Sequence, residues 1–177
     1  MPTASSLLEA ILEAWDRHQA TVLGLLGVVP PGGLAARAMP GSPTVAAMFA
    51  HLHYERMCSL KENTPEFAGV IPDTQWNAEA DGTSLRLMLE DSGQRLRQAV
   101  QSRIESDRPL DQDFPHPLTM LQFLVFHESY HHGQIKLALK AAGMALDDEV
   151  AGPVSWDVWR ARDGKGRDIE AGRLSTA

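Results

Sequence analysis

The chain has almost nothing with which to cross-link itself. One cysteine, Cys58, stands among its 177 residues, so neither an intramolecular disulfide nor a cysteine-rich metal site can form, which fits a reducing, cytoplasmic setting. Long apolar runs are also missing. No stretch approaches the ~18 uninterrupted apolar residues of a membrane span, and Met1 to Ala14 lacks a basic segment leading into an apolar one, so neither a span nor secretion is expected. Positive charge is short as well: 16 Lys and Arg stand against 23 Asp and Glu, a formal charge of −7. That balance disfavours nonspecific attraction to nucleic-acid phosphates, which depends on counterion release by excess basic residues. Finally, alternating Val/Ile/Thr-rich runs joined by two-residue turns are absent, which argues against a sheet.

What is present suits one folded domain. Hydrophobic residues make up 44% and charged residues 22%, values typical of soluble globular chains. Four stretches carry helical periodicity. The first, about Ser5 to Val28, places Leu8, Ile11, Leu12, Trp15, Val22 and Leu25 on one stripe and stops at Pro30-Pro31-Gly32-Gly33. The second opens at Ser42-Pro43, a cap residue followed by proline at the first helical position, and runs to about Lys61. Glu62 to Gly82 then forms the longest irregular connection, of the kind that serves as a crossover or rims a functional site. The third and fourth stretches cover about Thr83 to Ser106 and Leu118 to Ala142, with Gly143 as a left-handed terminus. Four amphipathic helices without strands predict an all-α bundle over residues 1–145. Residues 146–177 form a C-terminal extension in which Trp156 and Trp159 suit a short helical flap.

Three of the seven histidines fall in Phe126-His127-Glu128-Ser129-Tyr130-His131-His132-Gly133-Gln134, in the middle of the fourth helix. His127 and His131 lie four apart, so their imidazoles project from one face about 6 Å apart along the axis, close to the apolar stripe. Burial there keeps the rings neutral, the form that binds a metal. Catalytic zinc normally takes three protein ligands, so another helix must supply the third. His51, mid-helix between Met48 and Leu52, is the best candidate, whereas His53 points elsewhere. Isolated histidines such as His18 and His116 read as ordinary surface or core residues, and Cys58, with no activating base, as a buried inert thiol.

Two resemblances compete for these residues. His127-Glu128-x-x-His131 matches the zinc-peptidase pattern in which the glutamate is the general base. The extended metzincin pattern is broken, with Gln134 where glycine belongs, and Glu149 is the only rough candidate for a third, glutamate ligand. The better match is to the DinB-like superfamily: the chain resembles it in Ala50-His51-Leu52 of the second helix and His127-x-x-x-His131 followed by Gly133-Gln134 in the fourth, over roughly Ser5 to Gly143. Two positions depart from the commonest pattern. His132 stands where arginine is frequent, and Gly41-Ser42 replaces the Trp-Ser that usually precedes the second helix.

The resemblance implies an antiparallel four-helix bundle, often dimeric, with His51, His127 and His131 holding zinc, nickel or another divalent ion at one end of the core. It also implies a metal-dependent enzyme of stress response or detoxification, such as a transferase joining a low-molecular-weight thiol to an electrophilic substrate. Glu128 and Glu55 are then candidates to orient an imidazole or carry a proton. A metal-dependent hydrolase using Glu128, and a noncatalytic stress-response or dimerising protein whose metal only fastens helices together, are the alternatives.

Overall fold

The computed structural model describes residues 4–78 and 81–160, which contain six helices and no strand. They are α1 (Ala4–Gly27), α2 (Val45–Asn63), α3 (Gly82–Glu105), α4 (Pro117–Ala141), α5 (Asp148–Val154) and α6 (Trp156–Arg160). The chain is all-α, and the four long helices fall where the apolar periodicity places them.

Helix starts follow from local hydrogen bonding. The cap of α2 is Thr44 rather than Ser42: its hydroxyl accepts from the Ala47 amide at 3.1 Å, and Pro43 lies outside the helix. Asp81 caps α3 by accepting from the Thr83 and Ser84 amides, and these bonds, led by the one from Ser84, hold its carboxyl below the usual range. His116 caps α4, its Nδ1 accepting from the Leu118 amide, with Pro117 at the first position where no amide is needed. At the other end of α4, Gly143 adopts φ 75°, the left-handed conformation expected of it.

The helices surround a core in which α3 and α4 each lie against both α1 and α2. Asp16 meets Arg97 and Gln19 meets Leu89, so α1 and α3 run antiparallel. By contrast His53 meets Met88 and Arg56 meets Ser92, so α2 and α3 run the same way. Parallel neighbours need a connection that returns along the bundle, which is why residues 64–81 are long.

Apolar side chains gather in two separate clusters. One joins Val22, Leu25, Val45, Phe49, Leu85, Leu89, Ile135 and Leu139; the other joins Leu12, Trp15, Met57, Leu60, Leu96, Met120, Leu121 and Leu124. Between them, at mid-height, lies a layer of buried polar residues: His18, His51, His53, Arg56, Ser92, Glu128 and His131.

The C-terminal flap differs from expectation in which residues hold it. Ala151 and Val158 are buried, and Arg17 donates to the Val158 carbonyl at 2.6 Å, while Trp156 and Trp159 face outward. Residues 161–177 of the expected extension lie outside the described residues.

Candidate metal site

His51 and His53 stand on the second and third turns of α2, and their rings part company. His53 Nδ1 donates to the Met88 carbonyl on α3 at 2.8 Å, and burial holds its pKa below the usual value. The His51 ring turns instead toward α4, where the four-residue spacing stacks His127 and His131 on one face. The Nε2 atoms of His51 and His131 each lie 3.2 Å from Nε2 of His127. One ligand atom from each of the three rings lies within 4.8 Å of the others, the sole such grouping of three potential ligands among the described residues.

This arrangement fits a metal. Three nitrogens at tetrahedral angles and Zn–N distances of about 2.0–2.1 Å would stand roughly 3.3 Å apart, close to the contacts here. Burial first, then the neighbouring rings of His131 and His127, lowers the His51 pKa to about 4. Burial and His127 also lower His131, with Gln134 and Glu128 pulling the other way. A neutral imidazole presents a lone pair, and ring nitrogens converging on one point are a ready set of donors for a cation. All three Nδ1 atoms are buried without a hydrogen-bond partner. Among the described residues, Glu55, one turn after His51, brings a carboxylate to 3.8 Å from the His51 Nδ1 and is itself held by Gln75 at 3.3 Å. The three histidines can therefore bind a metal ion.

The expectation that the triad occupies one end of the core is corrected: apolar clusters lie on both sides along α2 and α4, so the triad stands at mid-bundle. Glu128 also differs from its expected role. One residue beyond His127, it points about 100° away around the helix, into the core, where it is fully buried. Arg56 donates to it from Nε at 2.7 Å and Nη2 at 2.6 Å, and His18 Nε2 adds a bond of 2.9 Å. Burial alone would push this carboxyl up, but the Arg56 guanidinium, aided by His18, holds it at about 2. A carboxylate with both oxygens so engaged is a poor general base. Glu149 is exposed in the first turn of α5 and is no part of the triad.

Several participants were not foreseen. Arg56 occupies the apolar stripe of α2, four residues from both Leu52 and Leu60, just as Glu128 lies four after Leu124. Two opposite charges on two apolar stripes were the available signal for their pairing. Trp76, from the long connection, stacks on His51 with ring centres 3.9 Å apart and planes 18° apart. Phe123 stacks on His127 and Tyr130 meets the edge of His131. No spacing rule would have found Trp76, whose position depends on the path of an irregular segment. Cys58 is half-buried, away from the triad; burial pushes its thiol up, with Tyr54 opposing. His132 is half-buried rather than solvated, and burial, then the charges of Lys136 and His18, lowers its pKa to about 4.

The family model of the DinB superfamily matches residues 14–135, well over half of the sequence and inclusive of all three histidines. The chain belongs to the DinB superfamily. No curated protein and no solved structure matches it significantly. Membership agrees with the histidine triad and the all-α bundle. No described helix of this DinB-like chain is long and apolar enough to cross a membrane.

Proposed function

We propose that this DinB-like protein binds one divalent ion, zinc or nickel, through Nε2 of His51, His127 and His131, and acts as a metal-dependent transferase that joins a low-molecular-weight thiol to an electrophile. The observation that carries the metal assignment is the convergence of three ring nitrogens from two helices, at 3.2 Å contacts, with burial favouring the neutral form of His51 and His131. An ion held there supplies Lewis acidity, which eases loss of the proton from a thiol beside it. The chain's own contribution is positional. Arg56 and Glu128 lock α2 to α4 beside the ligands, Glu55 lies beside the His51 ring, and Trp76, Phe123 and Tyr130 each lie against one of the three rings. The thiol chemistry rests on resemblance to the thiol-dependent members of the superfamily.

Elemental analysis of protein purified without an affinity tag tests the first half: one equivalent of metal is expected, and none in His127→Ala. Mass spectrometry with candidate thiols and electrophiles tests the second. Metal without any adduct or turnover would leave the noncatalytic reading, an ion that only fastens α2 to α4. The hydrolase reading is weaker, because Glu128 is committed to Arg56 and His18.

A further inference from the structure

An imidazole turns easily about its last torsion, whose profile is broad and roughly two-fold. A histidine that binds metal is therefore fixed from outside, ordinarily by an acceptor that takes the proton of its second ring nitrogen. His53, two residues further along the same helix, is fixed in this manner, its Nδ1 donating to the Met88 carbonyl at 2.8 Å. His51 has no such tether. Its Nδ1 is buried without a hydrogen-bond partner. The Glu55 carboxylate stands 3.8 Å from that atom, beyond hydrogen-bond range, and accepts instead from Gln75 at 3.3 Å.

What the His51 ring does meet is a flat surface. Trp76 lies over it with ring centres 3.9 Å apart and planes 18° apart, which is van der Waals contact across a whole ring face. The rings of His127 and His131 stand at 69° and 81° to that of His51, so neither lies flat on it. Turning the imidazole out of its plane would drive its edge into the indole. Trp76 also reaches α4, its centre 5.9 Å from that of His131 with planes 69° apart. It comes from the return path between the parallel helices α2 and α3, and its neighbour Gln75 ties that path to α2 through Glu55. We propose that Trp76 is the positioning residue of His51: its indole, stacked on the imidazole face, fixes the direction of Nε2 toward His127 in place of a hydrogen bond at Nδ1, a role that rests on the metal reading of the triad. Ligand directions must hold to within about 10–20° for a site to keep its affinity, so the triad depends on a side chain outside the four long helices.

Chelator competition with zinc on the tag-free full chain reads the affinity. Trp76→Leu keeps an apolar side chain without a ring and should bind zinc roughly 10–100-fold more weakly than the parent, the loss that follows removal of a group orienting a ligand. Trp76→Phe restores a flat ring and should recover most of that affinity, and Glu55→Gln should lose much less than Trp76→Leu. Proton NMR of the metal-free chain supplies a readout that needs no ion. The His51 ring protons should lie upfield in the parent and, less so, in Trp76→Phe, through the ring current of the stacked aromatic, and should return toward ordinary positions in Trp76→Leu. Zinc binding that Trp76→Leu leaves intact overturns the role of Trp76 while leaving the metal reading in place. Unshifted His51 protons in the parent, or a Trp76→Phe chain as weak as Trp76→Leu, overturn it as well. A loss in Glu55→Gln as large as that in Trp76→Leu hands the orienting role to the carboxylate. A parent chain that binds no zinc overturns the metal reading and the role of Trp76 with it.

Discussion

Arg56 and Glu128, 72 residues apart in the chain, meet through two parallel hydrogen bonds of 2.7 and 2.6 Å with both side chains wholly shielded from solvent. The remaining donors of Arg56 reach the Leu89 carbonyl at 2.9 Å and Ser92 Oγ at 3.4 Å, and its guanidinium lies 5.2 Å from the Trp15 ring centre. His18 occupies the other side of the carboxylate. One ion pair thus links all four long helices at the level of the histidine triad.

Removing one partner leaves a buried charge without compensation, a far larger loss than the net value of the pair. Arg56→Met is therefore expected to destabilise the fold by about 3–5 kcal/mol in chemical denaturation. Replacing Glu128 by Gln in the same chain should recover a good part of that loss. An Arg56→Met variant within about 1 kcal/mol of the parent would mean that the pair is not buried in solution.

The same pair sets an acid limit. The Glu128 carboxyl is held at about 2, below the 4.5 of a free glutamate. Its contribution to stability is then complete above the unfolded-state value and drains away as pH falls from about 4.5 toward 2, since only the unfolded state takes up the proton in that window. Unfolding free energies measured across this range should fall more steeply for the parent than for Glu128→Gln. Parallel pH profiles would refute the assignment.

Much of this arrangement could be read from the sequence, and the exceptions have physical reasons. Helices show in periodicity because each buries a single face, and His127 and His131 show as a pair because four residues make about one turn. His51 needed a second helix, and its place on the α2 stripe was enough to nominate it. Glu128 faces Arg56 and His18 rather than the ligands, because proximity in sequence to a ligand says nothing about direction around the helix. The one-residue step that follows His127 carries the side chain into the core. Trp76 lay beyond reach, as its stacking on His51 depends on the path of residues 64–78. The α2 start moved from Ser42 to Thr44 because either residue can cap, and only the fold shows which hydroxyl meets an amide.

The C-terminal helices rest on α1 where Gly24 allows close approach. A Cβ at that position would lie 2.8 Å from Val154 Cβ and 3.2 Å from the Val154 carbonyl oxygen, so backbone as well as side chain must yield. Gly24→Ala should lift α5 and α6 from the bundle at a cost of about 1–3 kcal/mol. Limited proteolysis should then cut near residues 144–156 much sooner than in the parent, with metal stoichiometry unchanged. Equal cleavage rates would show that the flap is not seated there.

Trp76 offers a direct optical test of the triad. Its ring centre lies 3.9 Å from that of His51 and 5.9 Å from that of His131, whereas Trp15 is buried on α1 and Trp156 and Trp159 belong to the C-terminal flap. A paramagnetic ion such as nickel or copper bound at the three ring nitrogens should therefore quench Trp76 emission selectively. The quench should be largely absent in Trp76→Phe, which retains the aromatic stack, and absent in His51→Ala, which removes a ligand. Metal at a hundredfold excess over its dissociation constant should also stabilise the fold by about 2.7 kcal/mol, through binding to the native state alone, and this gain should persist in Trp76→Phe but vanish in His51→Ala. Should Trp76→Phe quench as fully as the parent, the ion occupies some other part of the molecule. Should His51→Ala keep the thermal gain, the ligand set does not include α2.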